Sequence, residues 1–189
     1  TPAIKQKSGK EMMAEALTGR IRSDSSMFRQ GAKNATEASN IASIVANSSS
    51  AILTNLNQML TLAQEVKADS TKGAADAHKF TDLEQGITSP IANSKYNGIS
   101  LLDKSGWTGD SRLTVSGGGS TASLKIQVGY DSSTFTLNDM SYLNSLSSVD
   151  LSSGTLDLNA LISNLSTYIT TATIIYNGNA ALSTAYANE

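Results

Sequence analysis

The chain of 189 residues has no cysteine, two prolines, and aromatic side chains at only 5% of its positions. Without cysteine it can form neither disulfide bonds nor thiolate metal sites. Because aromatic residues are scarce, the core must be built from aliphatic side chains and alanine, which suits packed helices better than a deep globular pocket. Charged residues occupy 16% of the positions, below the usual quarter. Serine, threonine, asparagine and alanine replace them, which suits a protein that packs against neighbours through uncharged contacts.

Long apolar runs are also missing. No segment approaches the length that a bilayer span needs, and residues 1–5 lack the features of a signal peptide. We therefore expect no membrane partner, and we expect any export to use another route. Because the chain does not begin with methionine, we expect it to be a fragment of a longer protein.

The net charge of −2 conceals a polarity along the chain. Residues 1–33 hold seven basic and three acidic side chains, whereas the remainder holds seven basic and thirteen acidic ones. Such a basic end is compatible with a nucleic-acid-binding arm, a solvated helix face, or head-to-tail attraction between subunits. Phe28 is the only aromatic residue among these bases, which disfavours stacking on nucleobases. We expect no nucleic-acid partner.

Residues 8–69 predict one long helix. They contain no proline, and Ser8 and Glu11 fit a capping box at its start. An apolar residue then recurs every seven positions, at Val45, Ile52, Met59 and Val66. This repeat places one apolar stripe along the helix and favours supercoiled packing against partner helices.

Two further helices are predicted. The segment 69–71 interrupts the heptads and can cap a second helix, which Pro90 and then Asn97-Gly98 are expected to end. The short connection implies that the first two helices form an antiparallel pair. A third helix is predicted from Thr155 to the C-terminus, with Asn179 interrupting one of its apolar heptad registers.

Between the helices, residues 99–140 change to an alternating periodicity, which is typical of strands. Strands are predicted at residues 113–115, 124–128 and 135–137. Three consecutive glycines, residues 117–119, join the first two strands. Because no helix with a Lys-Ser/Thr pair follows them, they predict a hairpin turn rather than a phosphate-binding loop.

The predicted fold class is α+β, mainly α: an elongated bundle of long coiled-coil-like helices with a small antiparallel β-hairpin region. These parts would form one elongated domain overall. Residues 1–98 would hold the N-terminal rod helices, 99–140 the β-hairpin region, 141–154 a serine-rich linker, and 155–189 the C-terminal rod helix.

Catalytic patterns are missing from the sequence. Asp76 and Asp82 are near the single histidine, His78, but a solvated helix position is favoured over a metal or catalytic role. Asp82 and Glu84 are two residues apart and face different sides of a helix. No Gly-x-Ser-x-Gly nucleophile elbow occurs. We therefore predict no catalytic, metal-binding or cofactor-binding residues and no enzymatic activity.

Several segments resemble the N-terminal core of bacterial flagellins. The stretches 16–21 and 28–35, ALTGRI and FRQGAKNA, are similar to the family's Ala-x-x-x-Arg helix and its Gln-Ala-x-x-Asn-Ala sequence. Residues 91–103, which include Asn97-Gly98, resemble the signature Thr-x-Phe/Tyr-Asn-Gly-x-x-Leu-Leu. Residues 124–129 resemble the family's Ile/Phe-Gln-Val-Gly strand. These elements follow the family's order and spacing.

The resemblance implies a structural subunit of the bacterial flagellar filament, which assembles helically with copies of itself for motility and holds no cofactor. Its partners would be other flagellin subunits, the flagellar export machinery and a chaperone. Its location would be the extracellular filament, reached without a cleaved signal peptide. The linker 141–154 stands where the family's variable outer domains insert. We expect the terminal polymerisation segments to be missing from both ends, so that this chain stays soluble and monomeric.

The resemblance also implies contact positions. The candidate subunit contacts are Asn97 and Gly98 of the signature and four bases of the N-terminal segment, Lys5, Lys7, Lys10 and Arg20. Flagellins that activate the vertebrate innate receptor carry an arginine, a leucine and a glutamate on the rod surface. By register these positions are Gln58, Leu62 and Lys79, so only the leucine is kept. We expect weak or no activation of that receptor.

Three rival interpretations remain at this stage. A hook–filament junction protein would share the helical rod, but the signature Asn97-Gly98 followed by the Gln-Val-Gly strand favours flagellin. A helical nucleic-acid-binding module would use the basic N-terminal end. An enzyme would require residues distant in the sequence to converge.

Overall fold

A computed structural model describes the backbone of residues 14–128 and 131–188 and the side chains of residues 34–126 and 133–188. Three α-helices dominate it: α1 (Ala14–Ala68), α2 (Gly73–Asn93) and α3 (Leu158–Ala187). Two small antiparallel sheets lie between α2 and α3 in the chain. The coarse prediction of a mainly α fold with a small antiparallel sheet region is therefore confirmed.

Helix α1 is 55 residues long, which corresponds to about 80 Å at the rise of an α-helix. No proline interrupts it. The four apolar residues of the predicted heptad stripe, Val45, Ile52, Met59 and Val66, are all buried. The proposed capping box at Ser8 and Glu11 lies outside the described residues. The stripe is the part of α1 on which the other elements pack.

A short turn ends α1 and starts α2, as the segment 69–71 predicts. The Asp69 carboxylate accepts hydrogen bonds from the Thr71 amide at 3.1 Å and the Thr71 hydroxyl at 2.6 Å. These bonds hold the pKa of Asp69 below its usual range. They cap a 3-10 turn at Ser70–Lys72, after which α2 begins at once. The turn reverses the chain direction within four residues.

Helices α1 and α2 are antiparallel. The Ser48 and Ser94 hydroxyls are 2.6 Å apart, whereas Asn55 packs so closely on Gly86 that an added Cβ would lie 1.9 Å from its amide nitrogen. Residue numbers rise along α1 as they fall along α2. The predicted antiparallel pair is confirmed.

Pro90 does not end α2, so that prediction is wrong. The proline lies inside the last turn, and the helix continues to Asn93. Proline has no N–H to donate to the carbonyl of Gly86, so the last turn lacks one backbone hydrogen bond, yet three further residues remain helical. The Pro90 carbonyl still accepts bonds from the Ser94 amide at 3.1 Å and the Ser94 hydroxyl at 2.5 Å.

Asn97-Gly98 is not a helix terminus either, but the turn of a β-hairpin. Strands β1 (Lys95–Tyr96) and β2 (Ile99–Ser100) pair on either side of it. Asn97 has φ of 51° and Gly98 of 76°. Two positive φ values define the turn type that matches the twist of paired strands, and asparagine followed by glycine is its preferred sequence.

The larger sheet has the order β3-β4-β5 and is antiparallel throughout. Its strands are Leu113–Ser116, Thr121–Val128 and Asp131–Asn138. In the hairpin between the first two, Gly117, Gly118 and Gly119 all have positive φ, as the glycine run predicts. Phe135 and Leu137 are buried on the inner face. Strand β4 contacts α1, and a cleft lined by residues 34–41 of α1 and 124–126 of β4 places this contact on the N-terminal side of the heptad stripe.

The segment 141–154 differs from the predicted linker. Ser141–Ser148 forms a 3-10 helix, and Leu143, Leu146 and Leu151 are buried. The Ser145 hydroxyl donates to the Tyr142 carbonyl at 2.9 Å, and the Ser148 hydroxyl donates to the Ser145 carbonyl at 2.8 Å. Serine favours such tight turns over an α-helix because its side chain bonds to the nearby backbone. The segment therefore belongs to the core.

Helix α3 returns along α1. Its start is three residues later than predicted, because Asp157 caps it by accepting the Ala160 amide at 3.0 Å. Near its other end, the Ser39 hydroxyl donates to the Ser183 carbonyl at 2.8 Å. At the far end of α1, Gly73 lies against the carbonyl of Leu151, which precedes α3. The two helices are therefore antiparallel over most of their length.

Replacing Leu146 by alanine tests whether segment 141–154 belongs to the core. Leu146 is buried, so we expect Leu146→Ala to lower the free energy of unfolding by about 2–4 kcal/mol. Denaturant unfolding followed by circular dichroism measures the loss. Ser147→Ala, at an exposed neighbour, is the control and should change stability by less than about 0.5 kcal/mol. Equal stabilities of the two variants would show that the segment is a free linker.

Candidate interaction surfaces

The three predicted receptor-facing residues come together in one groove between α1 and α2. Gln58 and Leu62 lie on α1, and Lys79 lies opposite them on α2 because the helices are antiparallel. The groove has a volume of about 400 Å³ and is also lined by Thr61, Asp82 and Leu83. Leu62 is buried, whereas Gln58 and Lys79 are exposed at the rim. The three residues therefore line one groove, and their predicted role toward a receptor stays a prediction.

Lys79 has a structural partner that the sequence did not reveal. Its ammonium group lies 3.8 Å from a carboxylate oxygen of Asp76, one helical turn earlier. The Asp76 side chain is only 3% exposed, whereas the Lys79 side chain is 66% exposed. Asp76 is in the first turn of α2, where the helix dipole favours a negative charge. The lysine thus lies beside a buried carboxylate whose second oxygen, Oδ2, has no hydrogen-bond partner among the described residues.

Asn97 and Gly98, predicted as subunit contacts, are exposed, and an arginine ties their turn to the next loop. The Arg112 side chain donates to the Asn97 carbonyl at 2.9 Å and to both Asp110 carboxylate oxygens, at 2.9 Å and 2.7 Å. The hydrogen bonds from Arg112 lower the pKa of Asp110 to about 2. This fork fixes the hairpin turn relative to β3. The sequence held no sign of the pairing, because 15 positions separate Asn97 from Arg112.

A cleft of about 220 Å³ lies beside this turn, where α1, the small hairpin and β4 meet. Ile41 and Ile99 form part of its apolar floor, with Glu37, Tyr96 and Lys125 around it. Burial raises the pKa of the Tyr96 phenol, with a smaller effect from the Glu37 charge. The signature turn therefore lies over a junction of three elements, which gives Asn97 and Gly98 a role in the fold as well as an exposed position.

Uncharged side chains cover α3 and the middle part of α1. Helix α3 contains no charged residue, and α1 contains none between Glu37 and Glu65. The exposed positions of α3 are asparagine, serine, threonine, alanine and glycine, together with Ile174 at 67% and Leu182 at 37% exposure. The charged side chains of α2, by contrast, include Lys79 and Asp82 on its surface. A helix of 30 residues with no charge is unusual for a surface that stays in water.

Neither a metal site nor a membrane-spanning helix is found within the part of the chain that the structure describes. There, no group of three or more histidine, cysteine, aspartate or glutamate side chains could hold a metal ion. None of the helices there combines the length and the hydropathy needed to cross a bilayer. His78 is exposed on α2, at the solvated position that the sequence favours.

The basic N-terminal positions are only partly within the described residues. Lys5, Lys7 and Lys10 lie outside them. Arg20 lies in the backbone of α1, but its side chain is outside the described set. Their predicted role in subunit contact stays a prediction.

Comparison with protein-family models, with curated protein sequences and with solved structures gives no match. The function must therefore be inferred from the surfaces and from the order of the sequence motifs. The uncharged faces of α1 and α3, the groove at Lys79 and the turn at Asn97-Gly98 are the features available for that inference.

A charge reversal at Lys79 tests its bond to Asp76. We expect Lys79→Glu to lower the free energy of unfolding by about 1–2 kcal/mol, between the values for exposed and buried pairs, because it leaves two like charges side by side. Thermal or urea unfolding near neutral pH measures the change. In an Asp76→Asn background the same substitution should cost less. An equal cost in both backgrounds would show that the two side chains are not coupled.

Proposed function

We propose that the chain is the rod core of a flagellin, a structural subunit of the bacterial flagellar filament. Its helices would form a coiled-coil-like elongated bundle that packs side by side with other copies. The motifs in family order support this proposal, as does the seven-residue stripe along α1. Its partners would be other flagellin subunits, the export machinery and a chaperone, and its location the extracellular filament.

The observation that carries the proposal is the uncharged surface of α3 and of α1 between Glu37 and Glu65. A charge that is buried between subunits loses its hydration, which is costly unless a partner compensates it. Small polar residues avoid that cost and allow close approach of helix backbones. Ile174, exposed at 67%, would gain from burial against a neighbour. A solitary soluble protein would instead be expected to place charges on these faces.

The uncharged surface extends along the antiparallel pair of helices α1 and α3. From the Ser39–Ser183 contact to the turn at Gly73, α1 and α3 lie along each other. Both expose uncharged side chains along this length, including Asn47, Thr54 and Thr61 on α1. A contact that runs along the helices is the kind that stacked rods require, because each subunit can touch a neighbour over many residues.

A single charge on the α3 face tests the assembly surface. In the full-length protein we expect Ile174→Asp to block filament growth, because the new carboxylate would have to be buried between subunits. Seeded assembly followed by light scattering and electron microscopy measures growth. The matched control is Gln85→Asp, at an exposed position of α2, which should assemble like the wild type.

The outcomes of that experiment distinguish the filament function from the assignment of the α3 face as the contact surface. If the full-length wild-type protein forms no filament, the filament function is wrong. If the wild type and Ile174→Asp assemble equally, the filament function stands and the α3 face is not the contact. Circular dichroism of each variant confirms that any loss of assembly does not come from unfolding.

We also propose that the groove at Gln58, Leu62 and Lys79 activates the vertebrate innate receptor weakly or not at all. The arginine and the glutamate of activating flagellins are absent, and Lys79 is paired with Asp76. A surface built for an acidic residue at position 79 would meet a positive charge there. A reporter-cell assay with the purified protein measures activation, with an activating flagellin as the positive control. A response equal to that control would contradict this proposal.

A further inference from the structure

Two tyrosines from distant parts of the chain place their rings against each other. Tyr142 lies on the 3-10 helix Ser141–Ser148, and Tyr168 lies on α3. Their ring centroids are 5.5 Å apart, with an angle of 54° between the ring planes. Rings at this separation are in edge contact. Among the side chains that the structure describes, this is the only contact between two tyrosine rings, since Tyr186 faces Phe135 instead.

Both rings are held in place and remain accessible. Tyr142 is 38% exposed, and Tyr168 is half-buried. Leu143, next to Tyr142, is buried in the core, as is Leu165, one turn before Tyr168. The two backbones are thus fixed by packing while both tyrosine residues keep part of their surface in solvent. Groups held together in this way react with each other far faster than the same groups free in solution.

We propose that Tyr142 and Tyr168 form a site of oxidative crosslinking, where a one-electron oxidant such as a peroxidase with hydrogen peroxide joins the rings as dityrosine. This inference does not depend on the filament function.

The two rings and the oxidant account for every electron and proton in the reaction. Each phenol gives up one electron and its hydroxyl proton, which leaves two tyrosyl radicals. The radicals form one carbon–carbon bond between ring positions next to the hydroxyl groups. The hydrogens displaced from those two carbons return as protons to the phenol oxygens. The two electrons and two protons removed reduce one hydrogen peroxide to two water molecules.

The local charges suit a reaction that begins from neutral phenols. Burial raises the pKa of the Tyr142 phenol, with smaller effects from Asp139 and Tyr168. Near neutral pH Tyr142 is therefore protonated, and its oxidation releases a proton together with the electron. The Asp139 carboxylate is itself held in place, because it accepts the backbone amides of Lys104 and Ser141.

The bond would supply a covalent staple that this chain cannot obtain from disulfides, because it has no cysteine. It would join the 3-10 helix to α3 and close the loop of chain between residues 142 and 168. A crosslink that closes a loop removes conformational freedom from the unfolded chain. We therefore expect a higher unfolding temperature after oxidation.

Peroxidase treatment of the purified chain tests the site directly. The probe is a haem peroxidase with a limiting amount of hydrogen peroxide. We expect dityrosine fluorescence in the monomer fraction, a mass lower by two hydrogens, and a crosslinked peptide that joins residues 142 and 168. The yield should not depend on protein concentration, since the reaction is intramolecular. Tyr142→Phe and Tyr168→Phe should each reduce the monomer signal to background.

Tyr176→Phe is the matched control, because Tyr176 lies on the same helix without a tyrosine ring contact, and it should leave the yield unchanged. Circular dichroism shows whether each variant is folded, and removal of one hydroxyl group is a small change. No dityrosine in the wild type would overturn the proposal. So would a monomer crosslink that persists in Tyr142→Phe, or one found only between chains.

Discussion

The packing of the apolar stripe of α1 is the interaction on which the rest of the structure depends. One stripe on a 55-residue helix is too long for a single short partner to cover. Helix α2 packs on α1 from Ser48 onwards, α3 runs along α1, and β4 packs on α1 near residues 34–41. Because both other helices and the central strand of the larger sheet pack on α1, their positions are set by their register on that helix.

Local chemistry made this framework predictable from the sequence. The seven-residue spacing of Val45 and Ile52 predicts that both lie on one face of a helix, and both are buried. Alternation around Leu113 and Phe135 predicted strands for the same reason. The sequence alone does not show how far α2 continues beyond Pro90, because a proline within a helix removes one hydrogen bond without always ending the helix. Asn97-Gly98 stops no helix because it makes a two-residue turn between strands.

The features that the sequence could not reveal are those that depend on distant partners. The serine-rich composition of segment 141–154 predicts a linker, but Leu143 and Leu146 are buried. Register identified Gln58, Leu62 and Lys79 only as surface positions, and both the groove that they line and the burial of Asp76 beside Lys79 needed the structure. The spacing of Asp76 and Lys79 was visible, but spacing does not say that one of the two charges is removed from water.

The distribution of charge separates two kinds of surface on one small fold. Helix α2 keeps charged side chains and balances its buried carboxylate at Asp76 with Lys79, as an element in contact with water would. Helix α3 has 30 residues against 21 for α2 and carries none, although lysine or glutamate at its exposed serine positions would fold as well. Folding therefore does not explain the absence of charge from α3. We propose that contact with another surface explains it, whether or not that surface belongs to a filament.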